Sequence, residues 1–553
     1  MGGWSARGCR ELGEAFVSKL SPARVAALAA LVDAERSGRF VRDVLGDTAG
    51  VASGISASLD SRDQAFALRL ALGATATRGC LDELLDRFLS RPQKVAPRVR
   101  WALRLAAFEL LYLQTAPHVA VSQGVELVRS VARGAAGMAN AVLRRVANAR
   151  EAYLSASDLE PAGSAASCVG GLGQRVSTGP CADGHMKAAS GEPRANGRGQ
   201  AASAEPRAND YDDQAAQVAA ARSCGLPTWL GSAIQESCGA SAADLFASEL
   251  EPAPVALHVN PLHGAAGSDI QLDNEKQRAA GEQPGGSCVP ASVLPGCRIA
   301  SHVAAAVRSG ALADGDAVVS DMNAQLVATA AVRPGSCLEI GSGRGTKTFV
   351  MACQRRRLGL DADHVAADLS AKKGELNRER LEAAGLSQGV AWVSGDCQHL
   401  DDVLVPVDAA AGKHRQFDTV FLDAPCSGTG TMRRHPEIPW RLAAKDVEAD
   451  LPTLQLALLK EASTRVADGG ELIYATCSVL HEENAAVVQA FLASPEGRGF
   501  LLVPVSEAYA FGQVGYEDAA AYIQAHEEDG CFQTYPAPQH FDGHFCARFI
   551  RRK

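Results

Sequence analysis

Residues Ser336 to Thr348 read SCLEIGSGRGTKT. A short apolar run ends at Ile340, glycines recur at 341, 343 and 345, and a helix-like run follows. Glycines so placed let the backbone turn tightly and come close to a ligand. The turn alone fits several ligands or a purely structural bend, so its neighbours decide the fold. Downstream, HVAADL, VAWVSGD, TVFLDAP and ELIYATC are further apolar runs separated by helix-like segments. That alternation predicts a parallel sheet covered by helices on both faces, beginning near Asp321. The last run, HFCARFI with Phe545 and Phe549, suits an antiparallel edge strand.

Two cysteines stand in short motifs 51 positions apart, Cys426 in LDAPCSGTG and Cys477 in IYATCSVLHEEN. Each follows a strand-like run and precedes turn or helix-start residues, where an open parallel sheet carries its ligand groups. Small buried cysteines at strand ends are the bland alternative, and the other thirteen cysteines are read that way. The pair suits covalent chemistry on a pyrimidine. Position 5 of cytosine is too weak a nucleophile to take a methyl group unaided, but a thiolate added at C6 makes C5 carbanion-like. The adduct must then lose its C5 proton and expel the thiol, which a second polar group can assist.

The stretch LDAPCSGTGTMRRHPEIPWR, Leu422 to Arg441, together with YATCS, Tyr474 to Ser478, closely resembles the Sun/NOL1/NOP2 family of RNA cytosine-C5 methyltransferases, and within it the bacterial enzymes of the small ribosomal subunit. The resemblance makes Cys477 the nucleophile and Cys426 the residue that assists release. It places Asp423 between the methionine end of the cofactor and the target base, with Lys347 nearby. Cys477 precedes HEENAAVVQAFLA, so a helix amino terminus is expected to favour its thiolate.

The same resemblance implies S-adenosylmethionine as cofactor, a class I methyltransferase domain and no metal. Asp368 ends the second strand and can accept from both ribose hydroxyls, and Asp396 ends the third, where it could meet the adenine amino group. NAD enzymes share the glycine turn and the first acid, but the two cysteine motifs have no role in hydride transfer. The expected cofactor cradle is Gly341, Ser342, Gly343, Arg344, Gly345, Thr346 and Lys347, with Asp368, Asp396 and Asp423. Family members usually write this turn CAAPGGKT-like; here Arg344 stands for the proline and Gly341 for the small residue or cysteine. The variant is closer to a generic E-x-G-x-G-x-G turn, which keeps binding and leaves affinity as the open quantity. The loop TMRRHPEIPWR supplies Arg433, Arg434, His435, Trp440 and Arg441 as candidate contacts to phosphate and to a stacked base of single-stranded RNA, with a charged surface loop as the alternative. Pro439 stands where relatives often carry lysine.

The chain has 553 residues, enough for three or four domains. No signal-like start and no apolar run near ~20 residues is seen, so a cytoplasmic, non-membrane protein is expected. The scattered cysteines form no CxxC pair, which argues for thiols and against zinc. Net charge is −9, but residues 1–150 carry 21 Lys and Arg against 13 Asp and Glu, leaving −17 to the remainder. The basic face is therefore amino-terminal.

Apolar residues at helical spacing, Leu103, Ala107, Leu110 and Leu111, then Val121, Val125, Val128 and Ala132, predict an all-helical bundle over residues 1–150. LDSRDQAFALRLALG, VRWALRLAAFELLYL, HVAVSQGVELVRS and GMANAVLRRV resemble the NusB family of RNA-binding domains. A docking or dimerisation bundle is the alternative. From Pro161 to Gln200, Gly, Ala, Ser and Pro fill 23 of 40 positions, and AASGEPRAN recurs as AASAEPRAN at 201–209, so 151–210 reads as a low-complexity linker. GLPTWLGSAI and PVALHVNPL resemble the small α+β domain that precedes the catalytic domain in this family, assigned to 211–320, with a polar loop at about Gly264 to Gly286; the methyltransferase domain is 321–553.

The reading is thus a multidomain, monomeric enzyme that methylates cytosine C5 in 16S rRNA. Other RNA targets, tRNA or 23S rRNA, share the same motifs, and a non-catalytic NusB-like antitermination factor would leave the cysteines and acids without purpose.

Overall fold

The structure is a computed structural model and describes residues 20–48, 59–156, 216, 218–263, 292–300 and 310–553. Residues 151–154 of the expected 151–210 linker instead continue the last bundle helix, which runs to Leu154. The linker from residue 157 on, the repeated nonamer and the polar stretch from Gly264 to Gly286 lie outside the described residues.

The amino-terminal part is helical: α1 Pro22–Ser37, α2 Val41–Thr48, α3 Ser61–Ala76, α4 Arg78–Phe88, α5 Pro97–Leu111, α6 Pro117–Val131 and α7 Ala136–Leu154. Proline opens α1, α5 and α6, where its missing N–H costs nothing. Helix α5 is buried from Trp101 to Leu111, as befits the centre of a bundle. Its two buried charges are paired, Glu109 with Arg24 and Arg104 with Asp82. Next come helices Thr228–Cys238 and Ala242–Ser248 and a three-stranded antiparallel sheet, β1 Val255–Val259, β2 Cys297–Ala300 and β3 Ala317–Val319, in the order β2-β1-β3.

The carboxyl-terminal domain is built on β4 Cys337–Ile340, β5 His364–Asp368, β6 Val390–Ser394, β7 Phe417–Asp423, β8 Val466–Thr476, β9 Phe500–Val503, β10 Glu527–Glu528, β11 Cys531–Gln533 and β12 Phe545–Arg551. Strands β8, β7, β4, β5 and β6 are parallel neighbours in that order, and β12 adds antiparallel to β8. The expected edge strand is a correction. β12 is interior, flanked by β8 on one side and by β11 and β9 on the other, and Phe545 and Phe549 are fully covered. A local apolar pattern does not reveal that a further hairpin will cover the strand.

Helices pack both faces of the parallel sheet, with Phe349 and Phe421 in one core and Tyr474 and Phe545 in the other. A smaller cluster joins the helix Thr228–Cys238 to Met432, Val479 and Leu480, so the connecting segment packs beside both cysteine loops.

Candidate active site at the carboxyl edge of the sheet

The glycine turn follows β4, Asp368 ends β5, Asp396 lies two residues past β6, Asp423 ends β7 and Cys477 follows β8. The chain runs outward from β4 to β5 and β6 and then returns to its other side for β7 and β8, and such a reversal opens a crevice at the strand ends. Ile340 pairs with Leu422 and Asp423 with Ala475, which sets the turn, the acid and the second cysteine side by side.

Two of the glycines make room for protein. A Cβ at Gly341 would lie 2.3 Å from the Asp423 carbonyl oxygen, and one at Gly345 2.3 Å from Asn377 Oδ1. Gly343, at φ +55°, differs, because its nearest neighbour is the Gly341 carbonyl at 3.9 Å, which leaves open space. Beside it the Ser342 hydroxyl is buried without a partner. Asp368 accepts from the Gly343 and Ser370 N–H groups at 2.9 and 2.8 Å. An open backbone cradle with an orphaned hydroxyl and a rim carboxylate fits a nucleoside-bearing cofactor such as S-adenosylmethionine. Thr346 and the Arg344 carbonyl are tied to Arg380, outside that cradle. Asp396 is exposed and caps the following turn by accepting from Gln398 N–H at 3.0 Å.

Lys347 donates to Asp423 at 2.7 Å. Burial alone would lower the ammonium pKa, but the carboxylate lifts it above its ordinary value. Burial raises Asp423 despite the opposing lysine. Next to this pair the Cys426 and Cys477 sulfurs stand 3.4 Å apart. The hydrogen bond between the two sulfurs, aided by the Lys347 ammonium, holds Cys477 below the usual thiol range in spite of burial. That same bond, with burial, pushes Cys426 well above it. The helix expected after Cys477 begins at Ala485, beyond a short turn at His481–Glu483, and Asn484 at its start bonds Thr476 and the Ser478 carbonyl, the residues on either side of Cys477.

Sequence reading missed Glu483, which is fully buried under both cysteine loops and accepts from Ser427 and Ser478. The only sequence signal was HEEN, in which nothing local distinguishes Glu483 from the half-buried Glu482.

The expected RNA loop divides. Arg433 has a fully covered side chain, bonded to Asp542 and to the carbonyls of Ala537 and His540, so its assignment to phosphate is corrected. Arg434 is held by Asp542, Asp321 and the Pro254 carbonyl, and is likewise an internal tie. Trp440 does not present its face for stacking. Its indole N–H donates to the Ala76 carbonyl at 2.6 Å and its ring fills the space over Gly79 of the helical bundle. His435 is exposed, 5.7 Å from the Phe40 ring, and Arg441 is exposed with its guanidinium 4.6 Å from that ring. Both basic groups reach solvent at the seam between bundle and catalytic domain.

Among the described residues no helix is long and apolar enough to cross a membrane. Residues 333–550 match the family model for 16S rRNA methyltransferase RsmB/F, and residues 21–148 match the NusB family. The crystal structure of PH0851 shares the fold, with a TM-score of 0.61 at 19% identity over 97% of this chain and 100% of that one. The ribosomal RNA small subunit methyltransferase B of Xanthomonas campestris is 27% identical over 97% of each chain. That of Thermus thermophilus is 31% identical over 90% of this chain and 94% of its own. Agreement on this scale, across both the helical and the catalytic parts, shows that the chain belongs to the family of ribosomal RNA small subunit methyltransferase B.

Proposed function

We propose that the chain methylates C5 of a cytosine in 16S rRNA through a covalent bond between Cys477 and C6 of the base. The observation that carries this reading is the pair of sulfurs 3.4 Å apart beside the Lys347–Asp423 ion pair, at the strand ends next to the open glycine turn. S-adenosylmethionine, when bound, supplies the methyl group. Gly343, Ser342 and Asp368 would hold its nucleoside end, with Asp396 at the outer rim and Asp423 and Lys347 toward the reacting atoms.

We assign the thiolate to Cys477, whose sulfur lies 3.4 Å from that of Cys426 with the Lys347 ammonium near enough to favour the anion. Its attack on C6 draws electron density onto the ring and activates C5. The Asp423 carboxyl, raised by burial, is suited to hold the polar edge of the base and orient the ring, a role that positioning alone makes valuable. Release needs the C5 proton to pass to solvent water while its electron pair re-forms the C5=C6 bond and expels Cys477 as thiolate; Cys426, 3.4 Å away and holding its own proton, is suited to assist by hydrogen-bonding the departing sulfur. The target base must be unstacked for thiolate and methyl donor to meet opposite faces. RNA is held by the basic bundle, where His118, Arg129 and Arg144 line a groove of about 790 Å³ between α6 and α7, and by Arg441 at the seam.

Replacement of the two cysteines tests the roles. Cys477→Ala should abolish methylation and give no RNA adduct, whereas Cys426→Ala should trap protein on RNA in a denaturing gel. An adduct with Cys477→Ala and none with Cys426→Ala would reverse the assignment.

A further inference from the structure

We propose that Glu483 is a positioning residue for this chemistry, a single carboxylate that holds the Cys426 and Cys477 loops in register. The proposal rests on the covalent reading above and deepens it. The carboxylate accepts from the Ser427 N–H at 2.8 Å and from the Ser427 hydroxyl, and Ser427 directly follows Cys426. It also accepts at 2.5 Å from the hydroxyl of Ser478, which directly follows Cys477. Gln455 donates from one amide nitrogen to both Glu483 and the Pro425 carbonyl, each at 2.9 Å, and Pro425 precedes Cys426. The Tyr474 hydroxyl donates to the Glu483 carbonyl at 2.6 Å, anchoring the backbone from the strand that leads to Cys477. Thus the residue after each sulfur bonds one carboxylate, and the residue before Cys426 is tied to it through Gln455.

No Lys or Arg is among the partners of Glu483 in these bonds; they are neutral donors, and a buried carboxylate without a cation is retained only where such donors satisfy it. Its charge works against the reaction, since it raises both thiols. The groups acting on Cys477 are Cys426, Lys347, Asp423 and Glu483, and the hydrogen bond from Cys426 has the largest effect. A residue that opposes the thiolate electrically yet ties both loops together serves geometry, by keeping the Cys426 thiol on Cys477.

This gives a sign that separates positioning from charge. In Glu483→Gln one acceptor becomes a donor facing Ser427 N–H, the loops shift and the Cys426 bond weakens. The pH at which iodoacetamide half-reacts with Cys477, read by peptide mass spectrometry on full-length enzyme without RNA, should rise. Loss of a negative charge alone would lower it. kcat should fall about ten- to a hundredfold, as for a displaced reacting group, with KM for S-adenosylmethionine little changed. An unchanged or lowered midpoint, or an unchanged kcat, would overturn the proposal. Should Glu483→Gln fail to fold in a melting experiment, Ser427→Ala and Ser478→Ala each remove one donor, and a midpoint unmoved in both would overturn it equally. Full methylation by Cys477→Ala would instead defeat the covalent reading, while the alkylation midpoint still reports on Glu483.

Discussion

Adding one methyl group at Gly79 should weaken the seam between the helical bundle and the catalytic domain, and should do so only while Trp440 is present. A Cβ at Gly79 would lie 1.9 Å from Trp440 Cζ3 and 2.2 Å from Cη2, so the indole must move by well over an ångström. Overpacking of this kind costs about 1–3 kcal/mol. Alanine in place of glycine within α4 returns up to about 1 kcal/mol of helix propensity, which leaves Gly79→Ala destabilising by roughly 0–3 kcal/mol. Trp440→Ala empties the slot. It removes a half-buried indole and its hydrogen bond to Ala76, together about 2–3 kcal/mol. In that background Gly79→Ala meets nothing, keeps its propensity gain and becomes neutral or stabilising by up to about 1 kcal/mol. The double-mutant cycle should therefore show a coupling of about 1–3 kcal/mol with a change of sign. Urea unfolding of the four proteins followed by far-ultraviolet circular dichroism measures it. An equal effect of Gly79→Ala in both backgrounds would refute the contact.

Arg433→Ala should cost about 2–4 kcal/mol in denaturant unfolding, because it removes the buried partner of Asp542 and leaves that carboxylate to Arg434 alone. Arg441→Ala, at an exposed site, should leave stability within about 0.5 kcal/mol and reduce the salt slope of RNA binding by about one, as a filter-binding titration would read. Cys426→Ala removes the bond that depresses the Cys477 thiol, so the thiolate forms at higher pH and the acid limb of adduct formation should move upward; a limb that stays put or moves down contradicts the assigned donor. A fragment from residue 211 onward should bind S-adenosylmethionine in calorimetry, since the cradle lies from Glu339 onward; binding by the whole chain and not by the folded fragment would count against this placement.

Much of the catalytic domain was legible because its signals are local. An apolar run ending in glycines, acids at the ends of the next two runs and two cysteines after the last two place themselves on one sheet edge once the strands are parallel, since every such strand ends on the same side. The helical bundle was legible from its period. What only the tertiary structure decided depends on which distant atoms meet. The motif loop looked like an RNA-facing basic stretch, yet Asp542 and Asp321, over a hundred residues away in sequence, occupy Arg433 and Arg434, and α4 receives Trp440. The groups that lower the Cys477 thiol, Cys426 and Lys347, come from 51 and 130 residues away in sequence. Glu483 reads as one more surface acid beside Glu482 until the fold closes two loops over it. Periodicity and motif spacing report which chemistry a chain carries, but hydrogen-bond partners, and with them the roles of charged side chains, are set by burial and long-range pairing that no local pattern encodes.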